Sequence, residues 1–380
     1  MLACRIHAKE DLRIEPQDEP TPGRGEVLLA LGAGGICGSD LHYFHEGRNG
    51  GFVVREPLVP GHEASAVVVA IGEGVTRVKV GDKVAVSPSH ACGRCAYCRG
   101  GREQLCENMR FLGSASVFPH TQGFFRERFV MGERQCYPVE GDISLGEIAF
   151  AEPLAVALHA VNRGGNLVGK SVLVTGAGTI GCLTVLAARL AGATRIAVSD
   201  VLDRPLAQAL RVGADVALHA ARDTEALSRP QYDVTYEASG SLKALATGVA
   251  ATKRGGTIVQ VGTLPHERAG APQARIAPPG GQRSGEAASV GGSHEPLPFL
   301  VSDVMTKELD LRGAFRWGIE FDWAVSYLAS RRVDVRPLLS GQYPLSEAVG
   351  AFRVAADKNR STKVQLTGSE TGIRGAESRL

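Results

Sequence analysis

The sequence predicts an α/β chain in two parts, a β-rich portion followed by a doubly wound parallel sheet. Three observations carry this. The length of 380 residues and mass of 40.0 kDa suit two domains at roughly 100–200 residues each. Runs at 26–31, 65–71 and 83–87 are short, apolar and bounded by Gly or Pro, as in strands joined by tight turns. From residue 152 the character changes. A helical stretch at 153–161 leads into strand-like runs at 171–175, 195–199, 216–218, 232–237 and 257–261. These alternate with helix-like runs at 179–191, 204–212 and 242–252, the pattern of a parallel sheet covered on both faces. Order continues at 299–304 and 309–315, with helices expected at 322–330 and 346–357.

Composition narrows the function classes. Lys plus Arg is 42 against 40 Asp plus Glu, a net charge of +2, which lacks the basic excess of a dedicated nucleic-acid binder. No run approaches the roughly 18–20 apolar residues that span a bilayer. The N-terminal residues lack an apolar core of signal-peptide length, so a cytoplasmic protein is expected. Residues 266–294 are mostly Gly, Ala, Pro, Ser, Arg and Gln without periodicity. They read as a flexible insertion, an ordered surface loop being the alternative. Residues 368–380 read as a frayed tail.

Four of the eight cysteines crowd together, Cys92, Cys95, Cys98 and Cys106, spaced C-x2-C-x2-C-x7-C within a lobe at 90–108. Four thiolates at this spacing can wrap one tetrahedral zinc and leave no open position, so the ion would be structural. An iron–sulfur cluster uses the same ligands. A nucleic-acid-binding zinc ribbon would need a basic and aromatic surface that the flanking residues do not supply.

A second set of metal-type ligands is dispersed. Cys37 lies in Gly35-Ile36-Cys37-Gly38-Ser39-Asp40, His62 and Glu63 follow Gly61, and Glu152 precedes Pro153. One thiolate, one imidazole and one carboxylate would leave a fourth position free, as catalytic zinc requires. Singly, each has an ordinary reading: a buried small residue, a hydrogen-bonded histidine, or a residue before a helix that begins with Pro.

The run 171–175 leads into Gly176-Ala177-Gly178-Thr179-Ile180-Gly181 and a helical pattern, with Asp200 19 positions beyond the third glycine. Strand, glycine turn, helix and acidic residue together make a dinucleotide site. Gly176 permits the turn, Gly178 the approach of the pyrophosphate, and Gly181 close helix–strand packing. Asp200 would accept from the adenosine ribose and favour NAD over NADP, although a solvated strand end is the plainer alternative. Arg204 is close enough to soften that preference.

On these residues, with Val80-Gly81-Asp82-Lys83-Val84, the chain resembles the zinc-dependent medium-chain dehydrogenase/reductase family over nearly its whole length, the insertion excepted. Asp40-Leu41-His42-Tyr43 and Glu152-Pro153-Leu154 resemble the polyol dehydrogenase branch. A closer likeness, to the L-idonate 5-dehydrogenases, lies in the runs 109–115, 118–120, 150–157 and 311–316.

The resemblance implies a GroES-like catalytic domain at 1–152, a Rossmann domain at 153–298 and a return to the catalytic domain at 299–367. It implies catalytic zinc on Cys37, His62 and Glu152, with Glu63 beside the metal. Ser39 and His42 would belong to the proton path. Tyr43, Arg316 and Trp317 would face substrate, with Glu152 also able to meet a substrate hydroxyl. Ile180, Asp200, Val261 and Gly262 would face the cofactor. The activity implied is oxidation of L-idonate to 5-keto-D-gluconate with NAD(P), or of sorbitol or xylitol instead. A sugar acid brings a carboxylate, for which Arg316 is the first cationic candidate and Arg110 the second. A non-catalytic zinc and nucleotide binder is the remote alternative. A homodimer or homotetramer, joined near 309–315 and the nucleotide-sheet edge, is implied as well. One departure is Ala66, near which the family carries glycine, and mild repacking is expected there.

Overall fold

The computed structural model describes residues 1–264 and 301–368. The insertion expected at 266–294 and all but the first residue of the expected tail lie outside the described residues.

The strand Glu26–Gly35 is buried along nearly its whole length, so it shows no polar alternation, as befits a strand covered on both faces. It pairs antiparallel with Glu63–Ile71, with Arg128–Gly132 and, from the far end of the chain, with Lys363–Thr367. Lys83–Val86 and Cys136–Pro138 extend one side of this seven-stranded sheet and Leu339–Pro344 the other. Both chain ends therefore build the β-rich unit. Ala66 sits fully buried inside Glu63–Ile71, paired with Leu31 and Val84. An alanine fits this extended backbone without strain.

The second sheet has six parallel strands in the order Val216–His219, Arg195–Asp200, Ser171–Thr175, Tyr232–Glu237, Thr252–Gln260 and Asp310–Gly313. The chain runs outward from Ser171–Thr175 in one direction, then returns to continue in the other. This reversal opens a crevice at the carboxyl ends of Ser171–Thr175 and Tyr232–Glu237. The helix Ala151–Gly164 packs on Thr179–Leu190 and on Glu320–Ala329. One apolar cluster runs from Phe150 and Leu154 through Val172 and Val174 to Phe321 and Leu328, joining the two units.

The return to the first unit comes later than the expected boundary at 299. Asp310–Gly313 still completes the parallel sheet, and the β-rich unit is rejoined only at Leu339–Pro344. A composition shift marks where the insertion ends, not which sheet claims the next strand. The strand expected at 257–261 also begins earlier, at Thr252, and ends at Gln260.

Candidate active site

The four cysteines of the lobe bring their sulfurs within 4.8 Å of one another. The Cys92 N–H donates to Cys106 Sγ at 3.2 Å and the Cys98 N–H to Cys95 Sγ at 3.5 Å. Backbone N–H groups of Arg94 and Cys95 push the Cys92 thiol down to about 6, whereas burial pushes Cys98 up to about 12. Such N–H donors satisfy thiolates, and a tetrahedral ion fits this set.

Cys37 caps the start of the helix Gly38–Glu46, while His62 immediately precedes the strand that Glu63 opens. Their ligand atoms also lie within 4.8 Å of one another. Glu152, in the first turn of Ala151–Gly164, falls outside that mutual distance. It is buried nonetheless, and its charge acts on His62. Both oxygens of Glu63 are held by the Lys363 ammonium, at 2.8 and 2.7 Å, in a fully buried pair.

Asp40 is completely buried. Its Oδ2 accepts from the Cys37 N–H at 2.9 Å and its Oδ1 from the Gly61 N–H at 3.0 Å. The same Oδ1 lies 3.6 Å from His62 Nδ1. Burial alone would lower the His62 pKa, but Asp40, Cys37 and Glu152 hold it well above the usual imidazole range. Burial pushes Glu152 up to about 8 against the pull of His62. The site gathers four acidic side chains, Cys37, Asp40, Glu63 and Glu152, around His62 and Lys363, a donor set that suits a divalent ion.

Gly176 has φ 94°, and a Cβ on Gly181 would lie 1.8 Å from the Gly176 carbonyl oxygen. Turn and helix are in contact there, as the motif requires. Nothing lies within 4 Å of a Cβ on Gly178, which leaves room for a pyrophosphate at the start of Thr179–Leu190. Asp200 accepts from Ala177 N–H at 2.8 Å and Leu202 N–H at 3.0 Å, bracing the turn from the next strand. Arg204 instead reaches across to the β-rich unit, donating to Lys358 O at 3.3 Å and Thr362 Oγ1 at 3.2 Å. Ile180 is half-buried at the head of its helix. Val261 and Gly262 donate their N–H groups to Glu237 O at 2.9 and 2.8 Å.

The pattern of the alcohol dehydrogenase GroES-like domain matches residues 23–141, and that of the zinc-binding dehydrogenases matches 179–279. L-idonate 5-dehydrogenase (NAD(P)(+)) of Escherichia coli (strain K12) is 36% identical over 96% of this chain and 98% of its own. The chain belongs to the zinc-dependent medium-chain dehydrogenase/reductase family. The crystal structure of that Escherichia coli enzyme superposes with a TM-score of 0.84, covering 96% of this chain and 97% of its own. Sorbitol dehydrogenase of Macaca fascicularis is 34% identical over 92% of this chain and 91% of its own. A putative zinc-binding dehydrogenase from Sinorhizobium meliloti 1021, solved bound to NADP, is 27% identical with a TM-score of 0.80, covering 96% and 98% of the two chains. This chain is therefore a zinc- and NAD(P)-dependent oxidoreductase acting on CH–OH donors, in the polyol and sugar-acid group. No helix among the described residues is long and apolar enough to cross a membrane.

The residues expected from the resemblance to face substrate or carry its proton occupy varied surroundings. Ser39 is half-buried one residue beyond the helix start, and exposed His42 bonds Glu46 at 2.7 Å. Tyr43 is buried, its hydroxyl accepting from Ala115 N–H at 3.0 Å. Arg316 adopts φ 58°, its guanidinium 4.7 Å above the Phe111 ring and 4.6 Å from that of Phe315. Phe111 in turn lies 5.7 Å from the His62 ring. Trp317 is buried edge-on to Phe111, and it lines a cavity of about 650 Å³ together with Gly93 and Gln104 of the cysteine lobe and Met109 just beyond it. Arg110 is exposed. Sequence reasoning missed Lys363, Phe111 and the bracing role of Asp40. Only Asp40 left a local trace, the acidic residue three positions past the helix cap.

Proposed function

We propose that the chain is an L-idonate 5-dehydrogenase, oxidising L-idonate reversibly to 5-keto-D-gluconate with NAD as the preferred acceptor. The observation that carries this is Arg316. Burial pushes its guanidinium down to about 10, still charged at neutral pH. Two phenyl rings cover its faces, and among the described residues no carboxylate pairs with it. Stacking on aromatic faces leaves the N–H edges of a guanidinium free for bidentate recognition of an acid. The Phe111 ring beside the guanidinium is also the ring 5.7 Å from His62, so one extended sugar acid would run from His62 to Arg316.

Cys37, His62 and Glu152 would hold the catalytic zinc with Glu63 beside it, and Cys92, Cys95, Cys98 and Cys106 the structural zinc. When bound, zinc supplies the Lewis acidity that makes a secondary hydroxyl acidic, and NAD supplies the hydride acceptor. The rest falls to the chain's own groups. The Ser39 hydroxyl takes the substrate proton and passes it toward His42 at the surface. Tyr43 and Glu152 meet the remaining hydroxyls, Arg316 binds the carboxylate, and Phe111 with Trp317 excludes water. Asp40 fixes the loops on either side. Gly176, Gly178, Ile180, Gly181, Asp200, Val261 and Gly262 form the cofactor wall. With Arg204 committed to the β-rich unit, a 2′-phosphate has less to meet. Eight free cysteines favour a reducing compartment such as the cytoplasm. The enzyme works as a homodimer or homotetramer.

The zinc-loaded protein, assayed for NADH at 340 nm, is expected to turn over L-idonate well above sorbitol, xylitol and D-gluconate, and better with NAD than NADP. Arg316→Ala should lower kcat/KM on L-idonate on the order of 100-fold, the loss typical of removing one partner of a buried charge pair. Sorbitol as the preferred substrate, with Arg316→Ala unchanged on L-idonate, would move the chain to the neutral polyol branch represented by its sorbitol dehydrogenase relatives.

A further inference from the structure

Glu237 ends the strand Tyr232–Glu237 at the crevice, in register with Thr175 at the end of Ser171–Thr175. It is fully buried. Its carboxylate faces only donors. Oε1 accepts from the Ser239 N–H at 2.8 Å and from the Ser239 hydroxyl. Oε2 accepts from the Gly240 N–H at 3.1 Å and from Gln260 Nε2 at 2.5 Å. Four neutral donors thus share the two oxygens, and each finds an acceptor there. No lysine, arginine or histidine forms an ion pair with it among the described residues.

These bonds join three pieces of the crevice wall. Ser239 and Gly240 lead from the strand toward the helix Leu242–Ala251, and the Ser239 backbone is what a Cβ on Gly176 would strike, at 2.8 Å. Gln260, which also donates to the Gly262 carbonyl at 2.7 Å, ends the next strand. A Cβ on Gly262 would meet Gly240 N at 2.2 Å and Glu237 Oε2 at 2.8 Å. The carboxylate thus holds the 239–240 turn, the 260–262 turn and, through Ser239, the phosphate turn in one arrangement.

We propose that Glu237 is a positioning residue with two effects on the cofactor: it fixes this wall of the crevice, and its unpaired buried charge weights binding toward the oxidised form. NAD carries one more positive charge than NADH, on its nicotinamide ring. A buried negative charge that no protein cation neutralises attracts the oxidised ring and leaves the reduced one indifferent. The isosteric amide serves as the test, because it removes the charge and points an NH2 at groups that are themselves donors.

Isothermal titration of the zinc-loaded protein with NAD and separately with NADH reads both effects without turnover. In Glu237→Gln both dissociation constants should rise, NAD by about tenfold more than NADH, with zinc content unchanged. Ser239→Ala removes one donor and keeps the charge, so it should weaken both forms by the same factor. An unchanged NAD-to-NADH ratio in Glu237→Gln overturns the charge effect, and unchanged affinities overturn the positioning role too. If Glu237→Gln does not fold, Ser239→Ala and Gln260→Met carry the test. Equal weakening of both forms in these variants supports the positioning role and no weakening overturns it, while in the parent tighter binding of NAD than of its uncharged benzamide analogue supports the charge effect and equal binding overturns it.

Discussion

Asp40 touches both loops that carry the candidate catalytic ligands, and each of its oxygens already accepts a backbone N–H. An amide can accept at only one of those positions. In Asp40→Asn an NH2 must face either Cys37 N–H or Gly61 N–H, and the loops separate. The partial negative charge that orients His62 is lost at the same time. Zinc affinity is expected to fall 10–100-fold, the usual effect of removing a residue that orients a ligand. Competition with a chelator measures this, with circular dichroism confirming an intact fold. Retained affinity would show that Cys37 and His62 are held without it. The contrast with Lys363 shows what local sequence can display. Cys37, His62 and the four lobe cysteines announce themselves by residue type and spacing. Asp40 leaves a cap-like spacing, which can be read once a helix start at residue 38 is suspected. Lys363 reaches Glu63 across 300 positions of chain, and nothing near either residue encodes the pairing.

At the scale of elements, most parallel strands were legible because they are short apolar runs between turn residues, and Tyr232–Glu237 falls where the pattern puts it. Edges were less so. Thr252–Gln260 takes in Lys253, Arg254 and two glycines that no apolar pattern would include. One reason lies in a polar link across three strands. The Asp233 carboxylate accepts from the Ser171 hydroxyl at 2.7 Å, the Ser171 N–H at 2.8 Å and the Lys253 ammonium at 2.9 Å. Burial raises its pKa, but these donors outweigh burial and bring it down to about 2. A carboxylate lowered by folding stabilises the protein above its unfolded pKa of 3.8. That contribution disappears as pH falls from about 4 through about 2, because the unfolded chain binds the proton first. Asp233→Asn should therefore lower stability by about 2 kcal/mol at neutral pH and flatten the loss between pH 4 and 2. Thermal unfolding across that range measures both, and parallel pH profiles for variant and parent would contradict the linkage.

At the scale of the whole molecule, the strand Asp310–Gly313 ends the parallel sheet with one side unpaired among the described residues. Leu311 on it is 41% exposed, and Phe315 and Ile319 just beyond are 59% and 62% exposed. An uncovered strand edge with apolar side chains is a template for pairing with another chain. A second copy joined there would continue the sheet through a two-fold axis. This edge also bears on the proposed substrate contact, because the Phe315 ring lies 4.6 Å from the Arg316 guanidinium. A partner that buries Phe315 would also fix that ring, and with it the direction of the guanidinium. Leu311→Lys puts a charge into the strand edge, a device that proteins use to keep edges apart. The parent is expected to elute, by light scattering, at a multiple of its 40.0 kDa chain mass, and Leu311→Lys at that mass. The monomer should keep its zinc and show a KM for L-idonate raised several-fold, with the KM for NAD nearly unchanged. A parent that is itself monomeric would exclude this interface, and a monomeric variant with unchanged KM would separate assembly from the setting of Arg316.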